Sequence, residues 1–411
     1  MYKKIVVLLC FVSLLIGCTS QPEAADVVAE AETAEETVVE QTAQAKTVWA
    51  EVNDENNLLS EQQKELLHSF ALCCAETLRD VQPADIGNLF AETEGEESFI
   101  NKTAYNALCE IRNMQKPALS LEYAGVVYNV DTAYDGGRGI VVELYENNVQ
   151  KFRHLKEESL TYNTYHKFVL VQTDGEWKIK SHLQEEDFFL LAQEAWEDAQ
   201  GGTLAEKSEN AVKLLRADAE ENFVLCGEKL NEYIQLDVSK EYDREKAVEY
   251  ASQWCNKRNP EYLEYDLYGG NCQNFASQCI YAGGMDMDIK GTYTCQWKFY
   301  GKDLNFYQTA RGRSYSFIGV DEFYSYAVYN TGSGLALQPD ISIDYAEKGD
   351  VIQVGAYGKW RHSLVVTDVL KDENGKITDI VLASNTADRW NYPLSAYIYT
   401  YPRLIHIDGQ Y

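Results

Sequence analysis

The sequence predicts an α+β fold in two folded parts, and three observations carry that reading. Apolar residues recur at helical spacing between Ser60 and Met114. Alternating runs come next between Leu121 and His182, and the last two join through Asp174-Gly175, a strong hairpin signal. After Tyr242 the order repeats, with amphipathic helices first and alternating strands last. At 411 residues the chain is long for one core, since cores rarely grow past roughly 250 residues.

The opening segment, MYKKIVVLLCFVSLLIGCTS, sets Lys3 and Lys4 before an apolar run from Ile5 to Ile16 that ends at Gly17-Cys18. That is the layout of a secretion signal. The run is about 12 residues long, short of the roughly 20 that span a bilayer. Leu15-Ile16-Gly17-Cys18 resembles the lipobox of bacterial lipoproteins, which implies removal of residues 1–17, lipidation of Cys18 and attachment to the outer face of the cell membrane. Residues 18–48 hold seven acidic side chains against one Lys and no aromatics, so they cannot bury a core and read as a tether.

The net charge of −29 speaks against nucleic acid as a partner, because phosphate backbones reward clustered Lys and Arg. Residues 241–411 carry 22 acidic against 16 basic side chains, so most of the acidity lies upstream. None of the ten cysteines falls in a CxxC or Cys/His zinc spacing, and neither a metal nor a cofactor is expected.

In residues 49–184, Leu66, Leu67, Phe70, Ala71, Cys74 and Leu78 mark a first helix, and Ser98–Met114 a second. Strands are expected over 121–130, 139–145, 167–172 and 176–182. Helices followed by a sheet ending in an EWKI strand resemble the cone-shaped NTF2-like fold, which often encloses a ligand pocket. Residues 185–239 read as a helical connector to a last domain over 240–411.

That domain holds the residues with chemistry. Gly269 and Gly270 break the chain before Cys272, and Gly283-Gly284 end the stretch that begins there. Between the two glycine pairs Phe275, Ala276, Cys279 and Ile280 fall at helical spacing, which puts Cys272 in the first turn of a buried helix and Cys279 in its core face. A thiol at a helix N-terminus meets the positive end of the dipole and unpaired N–H groups, so a thiolate is expected. A base is needed too. Of the six histidines, His362 stands at the start of the alternating run 363–370.

The run 363–370 and the run 377–384 flank Asp372-Glu373-Asn374-Gly375 and form a hairpin. If 372–375 is the loop, Lys371 opposes Lys376 and His362 opposes Asn385. Directly opposed side chains share a face at about 5 Å between Cβ atoms, close enough for Asn385 to orient the imidazole. A one-residue slip turns Asn385 away and leaves Asp388 as the alternative. Nucleophile on a helix, base on a strand and an amide orienting the base is the papain-type arrangement.

The segments AVEYASQW, NPEY, GGNCQNFASQ, KGDVIQ and HSLVVT resemble the putative amidase domain family, related in fold to NlpC/P60 and CHAP peptidases. The resemblance covers about residues 241–408. It implies a papain-like fold with Cys272 and His362 at the catalytic positions, and Gly349-Asp350 leading into the strand before His362. The family often has Asp where Asn271 stands, and its later His-Thr pair corresponds to Asn385-Thr386. Tyr268 or Asn271 would supply a second oxyanion donor beside the Cys272 N–H.

The reading is an extracytoplasmic, membrane-tethered cysteine hydrolase of amide or peptide bonds, with peptides of the cell wall as substrates. Two rivals stand beside it. One is a noncatalytic wall-binding lipoprotein, and the other is an acyltransferase that passes the thioester to an amine.

Overall fold

Ser60 starts the first helix by a reciprocal exchange with Gln63, each side chain accepting the other's backbone N–H, which satisfies two amides that a helix start otherwise leaves orphaned. The structure is a computed structural model that describes residues 47–115, 117–225, 230–290, 295–299, 313–330, 332–356, 359–397 and 401–411. The expected signal segment, Cys18 and nearly all of the tether lie outside the described residues.

Among the described residues the protein is α+β, with eight α-helices and a mixed sheet of twelve strands. Helices α1 (Glu61–Asp80) and α2 (Glu96–Arg112) pack on β1 (Val48–Asn53), β2 (Leu121–Asp135), β3 (Ile140–Phe152), β4 (Ser159–Thr173) and β5 (Glu176–Gln184). β1 runs parallel to β2, and the rest of this part is antiparallel. β3 continues to Phe152, past the expected 145, because Glu146, Asn148 and Gln150 occupy inward positions. Polar residues on the buried side hid the alternation. The expected helical connector is two helices, α3 (Asp187–Asp198) and α4 (Leu204–Leu225). Gly201-Gly202 separate them, and Thr203 and Glu206 cap the second, with Glu206 accepting from the N–H groups of Gly202 and Thr203.

The last part contributes β6 (Lys240–Glu241), α5 (Arg244–Trp254), α6 (Cys272–Ala282), α7 (Tyr315–Ile318), α8 (Val320–Tyr329), β7 (Leu335–Ile341), β8 (Val351–Ala356), β9 (Lys359–Lys371), β10 (Ile377–Ser384), β11 (Asp388–Pro393) and β12 (Tyr401–Gln410). Strands β11-β10-β9-β8-β12 are neighbours in that order. Alternation along β9 splits its side chains between two cores. Val365 joins Phe275, Ile280, Trp297 and Phe317 under α6, while Leu364 and Val366 join the core shared with the N-terminal helices. Trp297 and Phe317 are both fully buried in the core under α6.

Two features fix this frame. Asp350, fully buried, accepts from Arg244 Nη1 (2.8 Å), His406 Nδ1 (2.7 Å) and the N–H groups of Glu347 and Ile407, tying α5, β8 and β12 together. Burial pulls His406 down, but the hydrogen bond and charge of Asp350 outweigh it and hold its pKa above the usual value. The second feature is β4. Leu160–Tyr162 pair with β11, while His166–Thr173 pair with β5. Asn163, at φ 57°, makes the bend between the two stretches, so one strand serves both parts of the sheet.

Candidate active site

Gly269 and Gly270 have φ of 107° and 113°, which side-chain-bearing residues rarely adopt, and they turn the chain into α6 at Asn271. Cys272 is therefore the first helical residue, as expected, and is 4% exposed. The backbone N–H groups of Ser363, Gln273 and Cys272 itself lie near its sulfur and favour the thiolate. Burial outweighs them, and the Asp266 carboxylate adds to it, so the thiol pKa is raised. Against the lowering expected from the helix position, desolvation pulls the thiol up by more than the amides pull it down.

Ser363 follows His362 on β9, and its side chain joins α6 by donating to Gln273 Oε1 (2.7 Å). Gln353 donates to Ser363 Oγ (3.2 Å), and Arg403 donates through Nε and Nη2 to Gln353 Oε1 (2.9 and 2.6 Å). The guanidinium of Arg403 lies over the rings of Tyr324 and Trp360. This buried polar chain clamps the start of α6 to β8, β9 and β12, and none of its members was singled out by sequence. Only the polar residues interrupting the apolar strands signalled it.

His362 opposes Val354 of β8. Burial, with a smaller contribution from the positive charge of Arg389, pulls its imidazole down to about 3, so it is neutral at physiological pH. Its Nε2 is buried without a hydrogen-bond partner. The structure thus brings Cys272 to the residue beside His362 but does not join thiol and imidazole by a hydrogen bond.

Asn385 does not face His362. The register of β9 and β10 pairs Lys371 with Ile377 and Val365 with Ala383, with two irregularities between, which shifts the expected pairing. Asp372 causes the shift at the turn. Its carboxylate accepts from the N–H groups of Asn374 and Lys376, drawing Lys376 into the loop while Gly375 takes φ 81°. Asn385 instead donates to the carbonyls of Trp254 and Cys255 at the end of α5 (both 2.9 Å) and accepts from Asn271 Nδ2 (2.8 Å).

Asn271 is likewise committed. Its N–H donates to Thr386 Oγ1 (2.7 Å), one Nδ2 hydrogen goes to Asn385, and its side-chain oxygen accepts from Asn274 Nδ2 and the Tyr265 N–H, which holds the side chain in this frame. Tyr268 sits on the turn before α6 and is 78% exposed. Asp388 takes an ion pair from Arg258 (2.9 Å) and hydrogen bonds from Asn163 Nδ2 and the Thr386 N–H. Thr386 donates to Asp266 Oδ1 (2.6 Å), and Arg258 also holds Asp266. Burial pushes Asp266 up, but Arg258 and Thr386 outweigh it and keep its carboxyl below the usual range. Thr386 and Ala387 both have positive φ, 60° and 53°, a strained turn for a β-branched residue. Arg258, Asp266 and Thr386 are the residues that sequence reasoning missed, apart from the Asn385-Thr386 correspondence.

A cleft of about 770 Å³ opens on this lattice, lined by His362, Arg361, Arg258, Asp266, Thr386 and Asp388 from the last part of the chain. Cys255 and Cys279 are buried free thiols in the core beneath α6. No group of three or more His, Cys, Asp or Glu fit to hold a metal ion occurs among the described residues.

Comparison with known proteins fits this picture. Residues 241–407 match the model of the putative amidase domain family. The uncharacterized protein YhbB of Bacillus subtilis (strain 168) is 30% identical over 128 residues, which cover 31% of this chain and 37% of YhbB. The matched stretch thus spans little more than a third of that relative's length. No solved structure matches. Cys272, His362, Arg258, Asp266, Thr386 and Asp388 all lie in the matched segment, so the C-terminal region of this chain, residues 241–407, carries a putative amidase domain.

Proposed function

We propose that this region hydrolyses amide bonds through Cys272 and His362. The Cys272 sulfur attacks the carbonyl carbon as its proton passes to His362 Nε2. The imidazolium returns that proton to the nitrogen of the leaving amine, which departs and leaves a thioester. Water, deprotonated by the imidazole, then releases the carboxylic acid and restores the thiol. The observation that carries this reading is the Cys272 sulfur at the first turn of α6, beside backbone amides and one residue from His362. A neutral imidazole with an unpartnered Nε2 is in the form a base requires. Apo hydrogen bonds between such pairs are commonly loose and tighten with substrate.

This reading takes the last part of the chain as papain-like, of the NlpC/P60 kind, supported by α6 packed on the antiparallel strands β8–β10. It takes the first part as NTF2-like, supported by α1 and α2 covering β2–β5. The extracytoplasmic, lipid-anchored location and a cell-wall peptide substrate rest on the sequence of the first 18 residues.

The test is hydrolysis of purified cell-wall peptide fragments by the full chain and by Cys272→Ala. A loss on the order of a thousandfold or more is expected in the variant. Equal release of carboxylate by both proteins would overturn the proposal, and new amide products in the presence of an added amine would replace hydrolysis by acyl transfer. The raised thiol pKa and the missing Cys272–His362 hydrogen bond favour the noncatalytic rival. Iodoacetamide labelling separates the two: Cys272 should label at least about tenfold faster than Cys279, which lies fully buried on the same helix.

A further inference from the structure

The cleft over His362 has a second wall that the family-matched segment does not supply. It comes from β3, β4 and the start of α3, with Tyr145, Thr161, Tyr165, Glu185, Glu186 and Asp187 among its residues. Charge is uneven across it. Arg258 is shared between Asp266 and Asp388, and Arg389 holds Glu186 at 2.6 Å with Asp187 more distant at 3.7 Å. Glu185 has no ion-pair partner among the described residues. Five lining carboxylates therefore meet three guanidiniums, counting Arg389 behind the wall, and the excess of negative charge collects at Glu185 and Asp187.

Acidity alone would not define a site. Thr161, however, is 2% exposed, lines this cleft and has a buried Oγ1 with no hydrogen-bond partner. His362 lines the same space, and its buried Nε2 is also unpartnered. Buried polar atoms are nearly always satisfied, so an orphan on a lining residue of each wall marks this cleft as a place where polar groups still lack partners. Tyr145 and Tyr165, with ring centroids 5.8 Å apart, add an aromatic flank suited to a cation.

We infer that this cleft binds a peptide carrying a protonated amine, with Glu185 and Asp187 holding the ammonium while the amide to be cleaved lies over His362. The inference rests on the hydrolase reading for its chemistry, but binding itself can be tested without turnover. Glu185 and Asp187 are both exposed, and between exposed groups one charge alters the affinity for another by a few-fold at low salt.

The experiment titrates full-length Cys272→Ala, observed by NMR, with three probes at low ionic strength. These are Nα-acetyl-lysine methylamide, its Nε-acetylated form, and alanyl-alanine amide. The side-chain amine should bind roughly tenfold more tightly than its acetylated form, and alanyl-alanine amide shows whether a terminal amine serves equally well. Glu185→Gln with Asp187→Asn should abolish the preference. Arg361→Gln, which removes a cation from the facing wall, should strengthen amine binding a few-fold and so guards against a loss caused by misfolding alone. Equal binding of free and acetylated lysine probes, or no binding of either, overturns the inference. Cys272-dependent hydrolysis indifferent to substrate charge would leave the hydrolase standing without this site. Amine-selective binding in a chain whose Cys272 proves inert would do the reverse.

Discussion

Cys272 is held between opposing pulls, and the balance has a measurable consequence. The amides at the start of α6 favour the thiolate, while burial and Asp266 favour the thiol and prevail. A thiol with a raised pKa is mostly protonated at pH 7, so its alkylation rate should climb about tenfold per pH unit and still be climbing at pH 9. A rate that levels off near pH 7 would show instead a thiolate stabilised by the site. Asp266→Asn removes the opposing charge but also loosens Arg258 and Thr386, so a faster reaction is expected only if the turn keeps its shape. Thr386→Val should slow Cys272 labelling less than it lowers stability, by roughly 1–3 kcal/mol, because the Asn271 N–H is left unpaired. Chemical denaturation checks that figure.

Among the elements, helix α6 was legible to within a residue because Gly-Gly, Cys and the apolar spacing agree on one answer. The hairpin β9–β10 was legible as a hairpin but not in register. Its pattern of apolar residues continues equally well after a one-residue shift, and the deciding contact is the Asp372 carboxylate within its own turn. Asn385 moved from the imidazole to the end of α5 for that reason alone. The buried chain from Arg403 to Gln273 was not legible, since it joins residues from three strands and a helix that no spacing relates. Asp350 is the element-scale test. Asp350→Ala leaves Arg244 and His406 without their shared partner, and a loss of about 3–5 kcal/mol is expected in urea unfolding. Asp350→Asn should lose less, because the amide still accepts one of the bonds.

Across the whole molecule, two buried histidines, His362 and His182, work against stability in acid, while His406, held above its usual pKa by Asp350, works the other way. His362 is pulled down to about 3 and His182 well below its usual value, in both cases chiefly by burial. Above pH 6.5 both states of the chain hold these rings neutral, and their contribution is constant. Below it the unfolded chain takes up protons that the folded one refuses, so stability falls as pH drops from about 6.5 towards 3. Thermal unfolding at pH 7.5 and 5.5 should show the lower midpoint at pH 5.5. An unchanged or higher midpoint would count against the neutral buried rings. The α+β class was readable from periodicity. The joining of both parts through β4 and β11 was not, because three residue pairs of β-ladder leave no mark on sequence. Residues 241–411 expressed alone expose the β11 edge and the buried Arg389, so that fragment should be less soluble and less stable than the chain from residue 45 onward.

The bend at Asn163 bears on how substrates are told apart. Because one continuous strand is bonded to β11 on one stretch and to β5 on the other, the two walls of the cleft are set at a span fixed by backbone hydrogen bonds. They act as the jaws of a gauge with no pivot. On the proposed reading, a ligand too wide for the span is refused rather than accommodated, and a new preference comes from exchanging side chains on the jaws rather than from a change in their opening.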